Sequence, residues 1–96
     1  MLFAILKKIK FKGKIDIIDA NGKTYNFGSP SPHYPYCKAR FKNKSIQRRV
    51  LSNPSLYIGE GYMNNEIVIE EGTIEDFLSI ITASYSDFFS KNPFFK

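Results

Sequence analysis

Ninety-six residues, 43% hydrophobic and 24% charged, describe one small globular domain rather than a disordered or multidomain chain. The net charge of +5 conceals an uneven distribution: residues 1–49 carry 12 Lys/Arg against 2 Asp (+10), and residues 50–96 carry 2 Lys against 7 Asp/Glu (−5). Such asymmetry points to an anionic partner, nucleic acid or a membrane surface, or else to a plainly solvated basic face.

The chain opens with Leu2, Phe3, Ile5, Leu6 and Ile9 at helical spacing, with Lys7, Lys8 and Lys10 towards the end of that run. Cations suit a helix C-terminus, and Gly13 is the expected stop. Ile15, Ile17, Tyr25 and Phe27 then bracket Asn21-Gly22, a hairpin signal. A two-residue turn would set Asp16 opposite Phe27, a poor pairing. A three-residue loop, Ala20-Asn21-Gly22, sets Ile17 against Tyr25 and Ile15 against Phe27, with Gly22 supplying the left-handed residue. Residues 29–35 hold Pro30, Pro32 and Pro35 and read as a loop.

From Tyr36 the pattern alternates: Cys37, Ala39 and Phe41 on one side, Lys38, Arg40 and Lys42 on the other. That is a half-buried strand with a basic outer face. Ser45 is the expected cap of a short helix with Ile46, Val50 and Leu51 inward and Gln47, Arg48 and Arg49 largely outward. Asn53 caps a second helix with Pro54 at its first position. Leu56, Glu60 and Met63 follow at helical spacing, and Asn64-Asn65 closes the helix in a left-handed turn. Residues 66–70 form a strand with Ile67 and Ile69 on one face. Thr73 and Asp76 make a capping box before Ile74, Phe77, Leu78, Ile81, Tyr85 and Phe88, the most regular helical stripe in the chain. Residues 90–96 read as a frayed end or linker carrying Phe94 and Phe95. The order is helix, hairpin, strand, helix, helix, strand, helix: an α+β fold with a mostly antiparallel sheet, residues 1–84 forming the domain and 85–96 the helix end and linker.

The chemistry-bearing patterns are sparse. Cys37, the single cysteine, excludes an internal disulfide and falls on an apolar face, where a free cysteine behaves as a small core residue. His33 sits in the proline loop without a ligand pattern. Gly59-Glu60-Gly61 lacks the third glycine of a dinucleotide loop and follows no strand. Glu70-Glu71 and Glu75-Asp76 suit the start of a helix for electrostatic reasons. The opening apolar run is too short to span a bilayer and lacks the order of a secretory signal. The chain alone is therefore expected to have no catalytic, cofactor-binding or metal residues, and to be cytoplasmic or peripheral at the inner membrane face.

Taken together, Arg48-Arg49, Asn53-Pro54, Gly59-Glu60-Gly61-Tyr62-Met63, Ile67-Val68-Ile69-Glu70 and Asp76-Phe77-Leu78 resemble the N-terminal domain of cyclopropane-fatty-acyl-phospholipid synthases. The first half agrees in layout, with Gly13 opening a strand, Asp19 and Gly22 at a hairpin and Phe27-Gly28 closing it. The likeness covers about residues 2–84, and Asn53, Pro54, Gly59, Glu60, Tyr62 and Met63 carry its most specific part. Gly61 stands where that family commonly has Ala or Ser, Asn64-Asn65 where it has Asp-Gly, and Glu66 where a Trp often follows. The resemblance implies a fold similar to sterol-carrier-type lipid-binding domains and an accessory lipid- and membrane-engaging role. In those enzymes a separate methyltransferase domain uses S-adenosylmethionine to bridge an acyl double bond; no catalytic residue carries over to this chain.

The expected partner is thus an anionic phospholipid or acyl chain, met by Lys7, Lys8, Lys10, Lys38, Arg40, Lys42, Arg48 and Arg49, together with the methyltransferase domain. The apolar side of the first helix beside its lysines suits an anionic interface, and it reads equally as a packing face. Two other readings stand beside this one. A basic strand interleaved with Tyr34, Tyr36 and Phe41 suggests a single-stranded nucleic-acid module. An exposed apolar tail would suit a docking or dimerisation domain.

Overall fold

The computed structural model describes residues 6–91 of the chain. The elements in order are β1 (Ile15–Ile18), β2 (Thr24–Phe27), β3 (Cys37–Phe41), α1 (Lys44–Ser52), α2 (Pro54–Met63), β4 (Ile67–Glu71) and α3 (Ile74–Lys91). The four strands form one sheet in the order β2-β1-β3-β4. β1–β2 and β3–β4 are antiparallel, whereas β1 and β3 run parallel. The fold is α+β, and the sheet is mixed, with two of its three pairings antiparallel.

The hairpin has the three-residue register: Ile15 lies opposite Phe27 and Ile17 opposite Tyr25. Asp19 organises the turn, its carboxylate accepting from the amides of Asn21 and Lys23, both at 2.9 Å. Gly22 has φ 88, the left-handed conformation that this loop demands. At the other end of β2, Gly28 also lies at positive φ, 71, and its α-carbon passes close to Gly13. Phe11 meets Phe27 there, with ring centroids 5.2 Å apart.

Alternation in the strands sends Ile15, Ile17, Phe27, Cys37, Ala39, Phe41 and Ile67 to one face, where all are buried. The helices cover that face with Ile46, Val50, Ile58, Phe77, Ile80 and Ile81. Phe41 and Phe77 meet edge to face at 6.5 Å, a favoured aromatic geometry. Ile80 and Ser84 are buried beside the expected stripe of α3, and the Ser84 hydroxyl accepts from the amide of Lys12 at 3.1 Å. Thr73 and Asp76 form the expected box, with the Asp76 amide donating to the Thr73 hydroxyl at 3.1 Å.

Two expectations need correction. The cap of α1 is Asn43, not Ser45: the Asn43 side-chain oxygen accepts from the amide of Ile46 at 2.8 Å, and Ser45 lies inside the first turn. An Asn in extended backbone reaches the third helical amide, which leaves the later serine without a capping role. The opening helix does not run to Gly13. Leu6 is helical, Lys7 and Lys8 form a turn, and Ile9 donates to the Leu6 carbonyl at 3.1 Å; residues 2, 3 and 5 of that stripe lie outside the described residues. At the other end, α3 runs to Lys91, so residues 85–91 of the expected helix end are helical. Tyr85 donates to the Leu51 carbonyl at 2.8 Å, and Phe88 packs against the core. Phe94 and Phe95 also lie outside the described residues.

Candidate functional site

The second face of the sheet carries the cations expected on β3, beside Asp16 and a buried Ile18. Lys38 and Arg40 do project there, but acids meet them. The Arg40 Nε lies 2.8 Å from Glu70 Oε2 across the β3–β4 pair, and Lys38 stands opposite Glu71. On the β1 side Asp16 takes Lys14 Nζ at 2.8 Å and the Tyr36 hydroxyl at 2.6 Å. Burial alone would raise the Asp16 carboxyl, but bonds from Lys14 and Tyr36 and the charges of Lys14 and Lys38 hold it below its ordinary range. Of the three cations of that strand, Arg40 is thus paired with an acid, Lys38 stands across from one, and Lys42 is exposed. Much of the charge asymmetry along the chain resolves inside the sheet, because the acidic half supplies β4. Exposed pairs of this kind add little stability each; here they settle which sign of charge the face presents.

Tyr36 is pushed up to about 12, first by donating its hydroxyl to Asp16 and then by burial. A raised folded value means that the neutral phenol is favoured in the fold; this contribution is present below the ordinary value near 10 and lost as pH rises towards 12. Ultraviolet titration of the folded chain should show a phenol step near pH 12 that Tyr36→Phe deletes. A titration complete near pH 10 with the fold intact would contradict the Tyr36–Asp16 bond.

Arg49 is also occupied. Its guanidinium pairs with Glu66 Oε2, which also accepts from Asn43 Nδ2 at 3.2 Å, and it lies 5.9 Å from the centre of the Tyr57 ring. Glu66 is held below the usual carboxylate range by Arg49 and then by Asn43. Arg49 is thus a tie between α1 and the start of β4. Arg48, one residue earlier, is exposed and has no ion-pair partner among the described residues.

The Asn53 to Met63 segment folds as a unit. The Asn53 side-chain oxygen accepts from the Leu56 amide at 3.2 Å, and Pro54 occupies the first helical position. Gly61 faces inward, where an added Cβ would lie 2.8 Å from Ile46 Cδ1 and 2.9 Å from Ile67 Cδ1. Glycine here lets α2 settle close to α1 and β4. The opposite side of α2 is open. Leu56, Tyr62 and Met63 are 47%, 43% and 80% exposed, Glu60 is exposed, and nothing lies within 4 Å of a Cβ built on Gly59. Asn65, at φ 60, makes the left-handed turn after the helix.

The remaining predicted cations do not converge on one spot. Lys7 and Lys23 place their ammonium groups 5.6 and 5.0 Å from the centre of the Tyr25 ring, while Lys8 and Lys10 are exposed before β1. Lys42 and Lys44 are exposed at the β3–α1 corner. That corner adjoins the end of α2: the Lys42 amide donates to the Glu66 carbonyl at 2.9 Å, and the Glu66 amide donates to the Gly61 carbonyl at 2.7 Å. Lys44 stands in the first turn of α1, which holds no acid. Neither Lys44 nor Leu56 is among the residues expected at an anionic surface. Their signal lies in the seven-residue, two-turn separation of Leu56 from Met63 and in a lysine placed where a helix favours acid.

The other chemical candidates are absorbed by the fold. Phe41 is 1% exposed and Tyr34 packs against the core, so two of the three aromatics proposed to stack bases face inward. Cys37 is fully buried, and burial pushes its thiol up. His33 is exposed in the proline loop. An open groove of about 250 Å³ between the start of α2 and α3 is lined by Asn53, Pro54, Ser55, Thr82, Tyr85 and Ser86. Three of its polar groups already serve the helices: Asn53 caps α2, Thr82 donates to the Leu78 carbonyl, and Tyr85 donates to that of Leu51. Among the described residues no helix is long and apolar enough to cross a membrane, and no three His, Cys, Asp or Glu side chains are grouped to hold a metal ion.

A family model described as "Domain of unknown function (DUF7884)" matches residues 2–93, nearly the whole chain. No curated protein matches it.

Proposed function

The chain belongs to the DUF7884 family, and we propose that it acts there as a non-catalytic domain that engages anionic lipid. Its architecture and its Asn53–Met63 segment suit the accessory domain that precedes the catalytic domain in cyclopropane-fatty-acyl-phospholipid synthases. On this reading S-adenosylmethionine chemistry belongs to a partner domain, and this chain brings it to the membrane. The chain itself is cytoplasmic and peripheral.

One observation carries the reading. After the pairs Lys14–Asp16, Arg40–Glu70 and Arg49–Glu66 are set aside, Lys10, Lys12, Lys42, Lys44 and Arg48 remain exposed without an ion-pair partner among the described residues. Each cation near an anionic surface contributes about 1 kcal/mol, and that attraction fades beyond a Debye length. Co-sedimentation should therefore show binding to vesicles containing phosphatidylglycerol, weak binding to pure phosphatidylcholine, and sharp loss at roughly 0.5 M salt. Equal binding to both vesicles, or tight oligonucleotide binding with none to lipid, would overturn the proposal.

A further inference from the structure

The chain has seven asparagines, and only Asn21 is followed by a glycine. Asn53 and Asn92 precede proline, whose nitrogen carries no hydrogen, and Asn26, Asn43, Asn64 and Asn65 precede residues with bulky side chains. Three of these others are also committed in the fold. Asn43 and Asn53 cap α1 and α2 through their side-chain oxygens, and Asn26 lies in β2 opposite Asp16. Asn21 is exposed at the hairpin tip, and its side-chain amide makes no hydrogen bond among the described residues.

Beside a side-chain amide, the next backbone nitrogen is a latent nucleophile. Once the Gly22 nitrogen gives its proton to a solvent base, it can attack Asn21 Cγ. The new N–C bond closes a cyclic imide. The bond from Cγ to the side-chain nitrogen breaks, and that nitrogen leaves as ammonia with a proton from water. Water then opens the imide at either carbonyl, leaving aspartate or isoaspartate. Glycine favours the step because no Cβ crowds its nitrogen and its backbone is free to adopt the conformation the ring needs. There is room at the tip, since nothing lies within 4 Å of a Cβ built on Gly22. The closed turn opposes the reaction. The Gly22 amide donates to the Asp19 carbonyl at 3.0 Å, and the Asp19 carboxylate accepts from the Asn21 and Lys23 amides, both at 2.9 Å. The nucleophile is therefore occupied until the tip opens, and exposed loop tips open at far lower cost than the whole fold.

We infer that Asn21 is a site of self-modification, at which the Gly22 nitrogen displaces the Asn21 side-chain amide as ammonia, and that Asp19 restrains the reaction by holding the turn closed. The product carries a new carboxylate two residues from Asp19. Isoaspartate also adds a carbon to the backbone of a loop whose length sets the β1–β2 register. Conversion thus loosens the hairpin as the protein ages, and lipid engagement plays no part in it.

Trypsin, cutting after Lys14 and Lys23, releases residues 15–23 with Asn21 as their single asparagine. The folded chain should be held in mildly alkaline buffer, digested, and compared by mass spectrometry with a digest made at once. Residues 15–23 should appear in converted form, isoaspartate and aspartate together, before any peptide carrying another asparagine converts. Isoaspartate marks the imide, because direct hydrolysis of the side chain gives aspartate alone. Asp19→Ala should convert about tenfold faster, the change expected when two hydrogen bonds of ordinary strength no longer hold the tip. Unfolding the parent chain in urea should also speed conversion, a comparison that stands even where Asp19→Ala fails to fold. No conversion at Asn21, earlier conversion at another asparagine, or aspartate without isoaspartate would overturn the assignment of the site. Equal rates in the folded and urea-unfolded chain would overturn the restraint by the turn, and an unchanged rate in folded Asp19→Ala would overturn the role of Asp19.

Discussion

Gly28→Ala should be among the most destabilising single-methyl additions in this chain, costing about 3 kcal/mol or more. Two penalties coincide there. Gly28 sits at φ 71, where an L-residue pays about 1–2 kcal/mol for the contact between its Cβ and its own backbone. The added Cβ would also lie 2.0 Å from the Gly13 carbonyl oxygen and 3.0 Å from Phe11 Cβ. The first of those neighbours is backbone and cannot rotate away, so residues 11–13 would have to lift from the end of β2. That shift would separate Phe11 from Phe27 and loosen the Lys12–Ser84 bond to α3. Small domains hold only about 5–15 kcal/mol in total, so urea denaturation should show a large drop in midpoint. Gly22→Ala is the natural comparison, with φ 88 but nothing within 4 Å of its Cβ; it should pay the conformational penalty alone. Equal midpoints for the two variants would mean that the close approach at Gly13 is absent.

The parts of the fold that were legible in sequence are those set by neighbours along the chain. The Gly22 loop follows from matching Ile15 and Ile17 to Phe27 and Tyr25, because a one-residue slip would reverse every side chain of β2. The capping box before α3 and the cap of α2 are likewise local, each settled within four residues. What sequence left open depends on distant partners. The parallel alignment of β1 with β3 joins strands that are not consecutive, and alternation is indifferent to strand direction. The basic side of β3 is plain in Lys38, Arg40 and Lys42, yet the acids that meet two of them, Glu70 and Glu71, arrive only when β4 docks. For the outer side of α2, spacing grouped Leu56, Glu60 and Met63 but could not say whether that side faces core or solvent. The answer lies in Ile58 and Gly61, whose fit against Ile46 and Ile67 is a matter of tertiary packing.

Leu6→Asp should unfold the domain or nearly so, while Met63→Asp should leave its stability within about 0.5 kcal/mol of the parent chain. Both residues are apolar, and pattern alone does not say which of them is buried. The structure separates them by environment. Leu6 is 3% exposed and belongs to the core with Ile9, Phe11 and Phe27. A carboxylate there must either stay charged without a partner or take up a proton, and in both cases the apolar burial of the leucine is lost. Leucine-to-alanine changes in cores already cost about 2–5 kcal/mol, and an uncompensated polar group adds to that. Met63 is 80% exposed, so its replacement exposes no cavity and strands no charge away from water. Circular dichroism and urea denaturation should show this contrast before any lipid is added. Once it holds, a loss of vesicle binding by Leu6→Asp reports only on folding. A stable, fully folded Leu6→Asp would return the N-terminal segment to contention as the membrane face, because a side chain that tolerates a carboxylate is not one on which the core depends.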